Sequence, residues 1–522
     1  MGVSEGTGVI GVVGGELIGF VLSEASVTQI PISIFSGEPE ISVREEELVI
    51  IHDEEHRGTP MILGVLRGIS RLEPYLRRRV KVGIEEYPEA IDRIEKLAYT
   101  NVSVVPLAEI IVGENNVVGI NRNVTYVPFP GSKVYRVGDG SIITRLLRET
   151  IEHAKEPIVV GTHKYSLDIQ IPLDPSYIQY HIGVFGATGM GKSRLVKVLA
   201  DEIVKNTEYA VIIFDHTGMD YAPFYPESTI SSLEIQLGPL GIADFFLKRL
   251  RLSEHYTTYL ELFGMEVSRS LEELRERLEN TTDYDTELRE IHREITGRLQ
   301  RVSKSIGARD DTVRSLGMRM QYFVEPEVLG EMILKRRYSP EQILEKAREY
   351  KRKGLPLVID LSFEETIEMR RTIIGDIIEA CWEWIFRKNF LEQQEGKRRY
   401  VPINLVVVID EAQNYAWGSG YCKEQIERVA REGRKWKFGL IVVSQRLARS
   451  IDTDIRANIN TIFFSRLSQT TDLGEIQKFA DITGIDVANL FQLMPREFYV
   501  AGLMNPLRKP IAIRVREVKD VI

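Results

Sequence analysis

The stretch Gly186-Ala187-Thr188-Gly189-Met190-Gly191-Lys192-Ser193 matches the phosphate-binding pattern G-x-x-x-x-G-K-[ST] at every fixed position. Its three glycines let the backbone curl around phosphate oxygens, so that backbone N–H groups and the start of the next helix face the anion. Lys192 then reaches the outer phosphates, and Ser193 ligates Mg²⁺. The stretch therefore predicts a site for ATP and Mg²⁺. The predicted nucleotide-binding residues are Gly186, Ala187, Thr188, Gly189, Met190, Gly191, Lys192, Ser193 and Arg194.

The residues on either side of this loop supply the order that a phosphate-binding loop requires. His181–Phe185 is a short apolar run typical of a buried strand, and Arg194–Val204 carries apolar residues at helical spacing. The alternative, a chance glycine-rich turn, would leave both flanking elements unexplained. Strand, glycine loop and helix together favour nucleotide binding.

A second apolar run, Ile403–Ile409, leads directly into two acids, Asp410 and Glu411. A buried strand of this type places a carboxylate beside the phosphate loop, where Asp410 can ligate Mg²⁺ through water. Glu411 then lies where a general base polarises the water that attacks the γ-phosphate. The alternative is a turn with two exposed acids. Because a phosphate loop precedes it, the pair predicts hydrolysis as well as binding.

Two further apolar runs end in polar residues. Phe438–Ser444 leads to Gln445, whose amide can hydrogen-bond both the γ-phosphate and the attacking water, so Gln445 is the predicted sensor. Tyr209–Phe214 leads to Asp215. That carboxylate can hold Mg²⁺ or cap the turn, and the sequence leaves both alternatives open.

A basic run follows the predicted helix that begins at Lys423, and it contains Arg431 and Arg434. One interpretation is that these cations complement the dipole at a helix C-terminus. The other is an arginine finger that reaches the nucleotide of an adjacent subunit and stabilises transition-state charge. We favour the finger role for Arg434, with Arg431 second.

The composition describes an ordinary soluble protein, with 43% hydrophobic and 27% charged residues in 522. The net charge of -9 excludes coating of nucleic acid through overall basicity and leaves only a local positive surface for such contacts. Cys381 and Cys422 offer neither a disulfide framework nor metal-ligand spacing, which favours a cytoplasmic location. No apolar run reaches the ~20 residues of a membrane span, so no membrane contact is expected.

The apolar patterns divide the chain into five parts. Short β-type runs predict an N-terminal barrel with one helix between Glu85 and Tyr99. A long charged segment with apolar residues spaced three or four apart predicts helices inserted between strands of one α/β sheet. The predicted parts are the N-terminal β-barrel (1–140), the first part of an α/β ATPase core (141–237), the inserted helical subdomain (238–352), the second part of the core (353–500), and a C-terminal strand and tail (501–522).

The combined motifs resemble the HerA family of archaeal and bacterial DNA-translocating ATPases, within the HerA/FtsK group. The segments that carry the resemblance are His181–Ser193, Val406–Gln413, Glu432–Lys435 and Val443–Arg446. The resemblance covers most of the chain, since that family also has an N-terminal HAS barrel and a helical insertion in a RecA-like core. Two turns differ from the family pattern: Met219-Asp220 stands before Tyr221 where Gly-Glu is usual, and Arg446-Leu447 replaces Arg-Pro.

The resemblance implies a homohexameric ring that threads double-stranded DNA through its centre. It also implies a partner nuclease of the NurA type, with which the ring resects DNA ends for recombinational repair. Two alternatives remain: a secretion-type or defence-system ATPase built on the same core, and a nucleotide-dependent scaffold for a partner enzyme. Stimulation of ATP hydrolysis by DNA discriminates among the three.

Overall fold

The computed structural model describes most of the chain. The described residues are 13–35, 41–56, 58–72, 99–113, 117–151, 156–364, 366–394, 400–467, 469–478 and 480–518. The helix predicted between Glu85 and Tyr99 lies outside them, apart from Tyr99 itself.

The N-terminal part is a closed antiparallel sheet. Its strands are β1 (Gly14–Val21), β2 (Ile30–Ile34), β3 (Leu48–His52), β4 (Met61–Leu72), β5 (Tyr99–Val112), β6 (Val117–Asn121) and β7 (Lys133–Val137). The order is β2-β1-β7-β3-β4-β5-β6, and a further β2–β5 pairing closes the first six of these strands into a barrel. The first half of β5 pairs with β2 and its second half with β6.

Strand β3 explains how the barrel sits on the rest of the protein. Its alternate residues Val49 and Ile51 belong to the apolar interior of the barrel. Leu48 and Ile50 point the other way and belong to the core that also contains the strand before the phosphate loop. Because successive side chains of a strand face opposite sides, an apolar run in an antiparallel strand indicates burial on both faces. The barrel is therefore packed against the nucleotide-binding part.

The larger part is built on one mixed sheet. Its strands are β8 (Ile158–His163), β9 (Gln170–Leu173), β10 (Ile182–Phe185), β11 (Ala210–Asp215), β12 (Thr229–Ser231), β13 (Leu357–Asp360), β14 (Leu405–Ile409), β15 (Phe438–Ser444), β16 (Thr461–Phe464), β17 (Glu497–Gly502) and β18 (Ile511–Val515). The order is β12-β13-β11-β14-β15-β10-β16-β17-β18-β8-β9. In this sheet order, the first seven strands, β12 through β16, are mutually parallel. The remaining pairings are antiparallel.

Helices flank this sheet and fill the insertion. They are α1 (Gly140–Glu149), α2 (Lys192–Asn206), α3 (Pro239–Arg249), α4 (Thr257–Asn280), α5 (Tyr284–Ser305), α6 (Asp310–Phe323), α7 (Pro326–Leu334), α8 (Pro340–Arg352), α9 (Ile367–Gln394), α10 (Tyr421–Glu432), α11 (Thr453–Arg456), α12 (Thr470–Ile476) and α13 (Val487–Phe491). None of the described helices has both the length and the apolar character needed to cross a bilayer.

The inserted helical subdomain consists of helices α3 to α8, between β12 and β13. In α5, the apolar stripe from Leu288 to Val302 is buried because three- and four-residue spacing keeps it on one face. Ile306, which the same pattern includes, caps the helix and is exposed. The fold is thus a RecA-like α/β core with an N-terminal barrel and an inserted helical subdomain.

Candidate functional site

The phosphate loop lies between β10 and α2 at the carboxyl end of the parallel strands. Gly189 and Gly191 have φ of 81° and 89°, a region that favours glycine. Gly186 has tight surroundings instead, since a Cβ there would come within 3.2 Å of Ser465. Helix α2 has no side-chain cap at Gly191, which leaves its first N–H groups for an anion.

A cavity of about 550 Å³ opens above this loop. The loop side is lined by Thr188, Gly189, Gly191, Lys192, Ser193 and Arg194, and the facing side by Met219, Asp220, Pro223, Phe224, Asp410, Glu411 and Gln445. Three predicted binding residues, Gly186, Ala187 and Met190, lie outside this lining. They anchor the loop instead: for example, the Ala187 N–H donates to the Arg466 carbonyl at 2.7 Å.

The Lys192 side chain reaches back across the phosphate loop to the loop's own backbone. Its ammonium donates to the Ala187 carbonyl at 3.4 Å. Burial lowers the pKa of Lys192, and the neighbouring carboxylates of Glu411, Asp410 and Asp220 oppose that shift. A phosphate group in the cavity would add negative charge beside this cation and favour its protonated form. The side chain is therefore suited to neutralise phosphate oxygens.

Asp215 shapes the turn that follows β11. Its Oδ1 accepts the N–H groups of Thr217 and Gly218, and its Oδ2 accepts those of Tyr221 and Ala222, at 2.8–3.2 Å. Burial nevertheless raises the pKa of this carboxyl. Asp215 thus caps the turn, as one of the two sequence alternatives predicts. Its proposed role as a magnesium ligand stays a prediction.

The acids around Ser193 form a group with the chemistry of a divalent-cation site. One carboxylate oxygen from each of Asp215, Asp220 and Asp410 lies within 4.8 Å of the others. Asp410 is buried, and its Oδ2 has no hydrogen-bond partner among the described residues. Burial and the nearby acids raise the pKa of Asp410. Because an unpaired buried carboxylate is costly and oxygen ligands suit Mg²⁺, these residues fit that ion.

Glu411 follows Asp410 in a left-handed conformation, with φ of 45° and ψ of 47°. Its Oε2 accepts the Gln413 amide, and its Oε1 accepts the Gln445 amide at 3.4 Å. The Gln413 carbonyl oxygen in turn accepts the Ser444 hydroxyl at 2.8 Å. Strands β14 and β15 are parallel neighbours, so their carboxyl ends bring these polar groups together.

Arg434 lies at the amino ends of the parallel strands, opposite the carboxyl ends where the cavity opens. It belongs to the 3₁₀ turn Gly433–Trp436, which precedes β15, and not to helix α10. Its guanidinium is over the Tyr180 ring, 4.4 Å from the centroid, and Tyr180 precedes β10. The seven residues of β15 separate this edge from Gln445, a distance of about 20 Å. Arg434 therefore does not reach the nucleotide cavity of its own chain.

Arg431, the second predicted finger residue, is exposed on α10 and donates to Glu427 at 3.2 Å. It lies in the last turn of α10, directly before the 3₁₀ turn that holds Arg434. Neither arginine lines the cavity. Their role as fingers stays a prediction about a neighbouring subunit.

The sequence patterns missed two residues of the site, Asp220 and Gln413. Asp220 accepts the Ser193 hydroxyl at 2.7 Å, although it is five residues beyond the end of β11. The turn that Asp215 caps brings it back to the loop, and the predicted cap does not by itself place the Asp220 carboxylate. Gln413 stands two residues after an already predicted acid, so its amide could have been noticed as a partner of Glu411.

Comparison with known proteins finds relatives that align with much of the chain. The family model for the central domain of helicase HerA matches residues 158–381. The DNA double-strand break repair helicase HerA of Pyrococcus furiosus is 25% identical, over 97% of this chain and 93% of its own. The protein of that name from Sulfurisphaera tokodaii is 26% identical, over 67% of each chain.

Among solved structures, the plasmid coupling protein TrwB with a non-hydrolysable GTP analogue has a TM-score of 0.46 and 16% identity, over 74% of this chain and 94% of its own. The sequence matches run through both the phosphate loop and the barrel, since the Pyrococcus relative aligns over nearly the whole chain. Residues 158–381 are thus similar to the central domain of helicase HerA, and the chain as a whole is similar to DNA double-strand break repair helicases of that name.

Proposed function

We propose that this protein is a Mg-ATP-dependent DNA translocase and helicase that acts in DNA repair. The observation that carries the hydrolytic part is the convergence of Lys192, Ser193, Asp410, Glu411 and Gln445 on one cavity. A loop that binds phosphate, a cation and a carboxylate able to activate water are the parts that phosphoryl transfer to water requires.

Each residue has a separate task in this proposal. Lys192 neutralises the outer phosphates, and Glu411 accepts a proton from the attacking water as the γ-phosphate leaves. The Gln445 amide can donate to the γ-phosphate and accept from the same water. Ser193 and Asp410 would hold Mg²⁺, which would supply positive charge near the phosphate oxygens.

The DNA part of the proposal is supported by the relatives, which are named DNA double-strand break repair helicases. A chain with a net charge of -9 can bind DNA, a polyanion, only through a local positive surface. Such contacts go to phosphates and carry no sequence information. Binding to double-stranded DNA is therefore expected to be independent of sequence and sensitive to salt.

The assembly part of the proposal is a homohexameric ring that works with a NurA-type nuclease in resection of DNA ends. Its support within this chain is Arg434, an exposed cation on the side of the sheet away from its own cavity. A cation in that position can complete only the site of another copy. Ring closure would bring one subunit's arginine to the next subunit's nucleotide.

The deciding experiment measures phosphate release from ATP with and without linear duplex DNA, using Glu411→Gln as the inactive control. The proposal expects DNA to stimulate hydrolysis, whatever its sequence, and the stimulation to fall as salt is raised. A DNA effect absent at every salt concentration would favour a secretion-type ATPase or a scaffold. Stimulation retained in Glu411→Gln would indicate a contaminating ATPase.

A further inference from the structure

Asp220 links the phosphate loop to the turn after β11. Its Oδ1 accepts the Ser193 hydroxyl at 2.7 Å, and its Oδ2 accepts the Thr217 hydroxyl at 2.9 Å. The four backbone N–H groups that build this turn go to Asp215. Among the described residues, Asp220 therefore contributes little to the backbone of the turn, and its carboxylate is directed to the hydroxyl of the phosphate loop.

Two buried polar atoms beside Asp220 have no partner among the described residues. They are Oδ2 of Asp410 and the hydroxyl of Tyr221, which is fully buried. The charges that act on Tyr221 come from Asp410, Asp220 and Asp215, so its hydroxyl lies among these acids. Each unsatisfied group costs on the order of 1–3 kcal/mol. A donor and an acceptor left unpaired at one place indicate a ligand that both accepts and donates hydrogen bonds.

A hydrated divalent cation has both properties. Mg²⁺ keeps several of its waters in protein sites, and those waters donate to carboxylates and accept from hydroxyls. The Ser193 oxygen can face such a cation only if its proton points elsewhere. In this chain Asp220, and not Asp410, accepts that proton.

We propose that Asp220 is a positioning residue of the divalent-cation site: it holds the Ser193 proton so that the oxygen faces the cation. The proposal rests on the Mg-nucleotide site put forward above. It adds to that site a carboxylate that lies outside the phosphate loop. Waters on a bound cation would then supply hydrogen-bond partners for Asp410 and Tyr221. The competing role for Asp220 is to stabilise the turn through Thr217, without any effect on the cation.

The test uses the full chain with ADP, and Mn²⁺ as the probe ion. Electron paramagnetic resonance measures Mn²⁺ affinity for the protein–ADP complex, and a fluorescent ADP measures nucleotide affinity in EDTA. Asp220→Asn is expected to weaken Mn²⁺ binding about tenfold or more, as loss of a partner outside the ligand shell does. Its metal-free ADP affinity should stay within about twofold, since the phosphate contacts are intact. Asp220→Glu, which keeps the carboxylate, should recover most of the Mn²⁺ affinity.

Thr217→Val is the matched control, because it removes the other partner of Asp220. It should leave Mn²⁺ affinity close to that of the wild type. An Asp220→Asn protein with wild-type Mn²⁺ affinity would overturn the proposal. So would equal losses of metal-free ADP binding in Asp220→Asn and Thr217→Val, since these would assign Asp220 to the turn. A wild-type protein that binds ADP in neither condition would overturn the nucleotide site itself.

Discussion

Lys192 and Glu411 line the same cavity. In the proposed mechanism they act at different stages: the lysine offsets phosphate charge from the moment a nucleotide binds, whereas the glutamate matters only when water attacks. Removal of one should therefore affect binding, and removal of the other should affect turnover. This difference makes the two roles separable by measurement.

We expect Lys192→Ala to lose productive ATP binding, because the outer phosphates would lose their compensating cation. Glu411→Gln should bind ATP with nearly unchanged affinity but hydrolyse it about 100-fold more slowly or worse, the usual effect of losing a general base. Fluorescent-nucleotide titration and single-turnover phosphate release check the two variants. Wild-type turnover in Glu411→Gln would move the base to another carboxylate of the cavity, with Asp220 the first to test.

Gln413 orients the side chain of Glu411, the proposed base. Its amide donates to Glu411, and its carbonyl oxygen is held by Ser444 on the neighbouring strand. Gln413→Leu should lower kcat about 10- to 100-fold, because a small misplacement of a catalytic group is costly, and should leave KM nearly unchanged. Ser444→Ala should lower kcat in the same direction but less. Equal changes in kcat and KM would point to a packing defect.

The predictable residues of the site are those at fixed spacing within one motif. Lys192 and Ser193 follow from the loop pattern, and Asp410 with Glu411 from an apolar run that ends in acids. Asp220 does not follow, because its position depends on four backbone N–H groups gathered by Asp215. A turn held by one buried carboxylate has no regular spacing of apolar residues, so the sequence pattern does not predict where its later residues lie.

At the scale of elements, long apolar runs and regular helices were predictable, and short edge strands were not. Helix α5 has the spacing of a buried stripe, and β14 is a continuous apolar run. Strand β12 has only three residues, Thr229–Ser231, and it exists because β13 offers it a parallel partner. Pairing of that kind is a tertiary effect, which local propensity does not contain.

Helix α9 links the start of helix α3 to helix α10 through a buried acid. Asp376 on α9 accepts the Gly238 N–H at 2.8 Å, at the start of α3, and the Tyr421 hydroxyl at 3.0 Å. Burial raises the pKa of Asp376 to about 7, and the nearby acids Glu379 and Asp244 add to the shift. The native state therefore holds a proton that the unfolded chain releases near pH 4.

A pKa raised in the folded state stabilises the protein fully below the unfolded pKa, and that stabilisation is lost as pH rises through about 7. We expect the Tm of the wild type to fall between pH 5 and pH 8 relative to Asp376→Asn, which stays neutral, by roughly 2–3 °C, because a chain of this size shifts by only about 1 °C per kcal/mol. Calorimetry of both proteins across this range measures the difference. Parallel curves would mean that Asp376 does not titrate there.

At the scale of the whole molecule, a buried ion pair fixes the barrel to the ATPase core. Arg67, on β4, donates to Glu46 at 2.8 Å and to the carbonyl oxygens of Thr483 and Pro510, both at 2.8 Å. The Tyr499 hydroxyl also donates to Glu46, at 3.1 Å. Because both charges are buried and well paired, loss of one partner leaves the other uncompensated.

Arg67→Ala should therefore destabilise the protein by about 3–5 kcal/mol, whereas the double variant Arg67→Met with Glu46→Leu should recover much of that loss. Arg67→Ala leaves the buried Glu46 carboxylate without its cation, whereas the double variant removes both charges together. Thermal unfolding with probes for the barrel and for the core measures this. If the double variant is as unstable as Arg67→Ala, packing rather than charge holds the two parts together.

The longest-range prediction concerns how sites are completed between subunits. Arg434 lies about 20 Å from Gln445, at the far end of β15, so any role in hydrolysis requires a second copy of the chain. Arg434→Ala rings should be inactive alone, and Glu411→Gln rings as well. In mixed rings, some interfaces pair an intact arginine from a Glu411→Gln subunit with an intact base in an Arg434→Ala subunit.

Partial recovery of ATP hydrolysis on mixing is therefore expected, with a maximum near equal proportions of the two variants. Mass measurement of differently tagged subunits must first establish that they exchange. A mixture of Glu411→Gln with Lys192→Ala is the matched control: every active cavity needs both residues in the same chain, so this pair should show no recovery. If the Arg434→Ala mixture stays as inactive as that control in demonstrated mixed rings, Arg431 becomes the next residue to test as the finger.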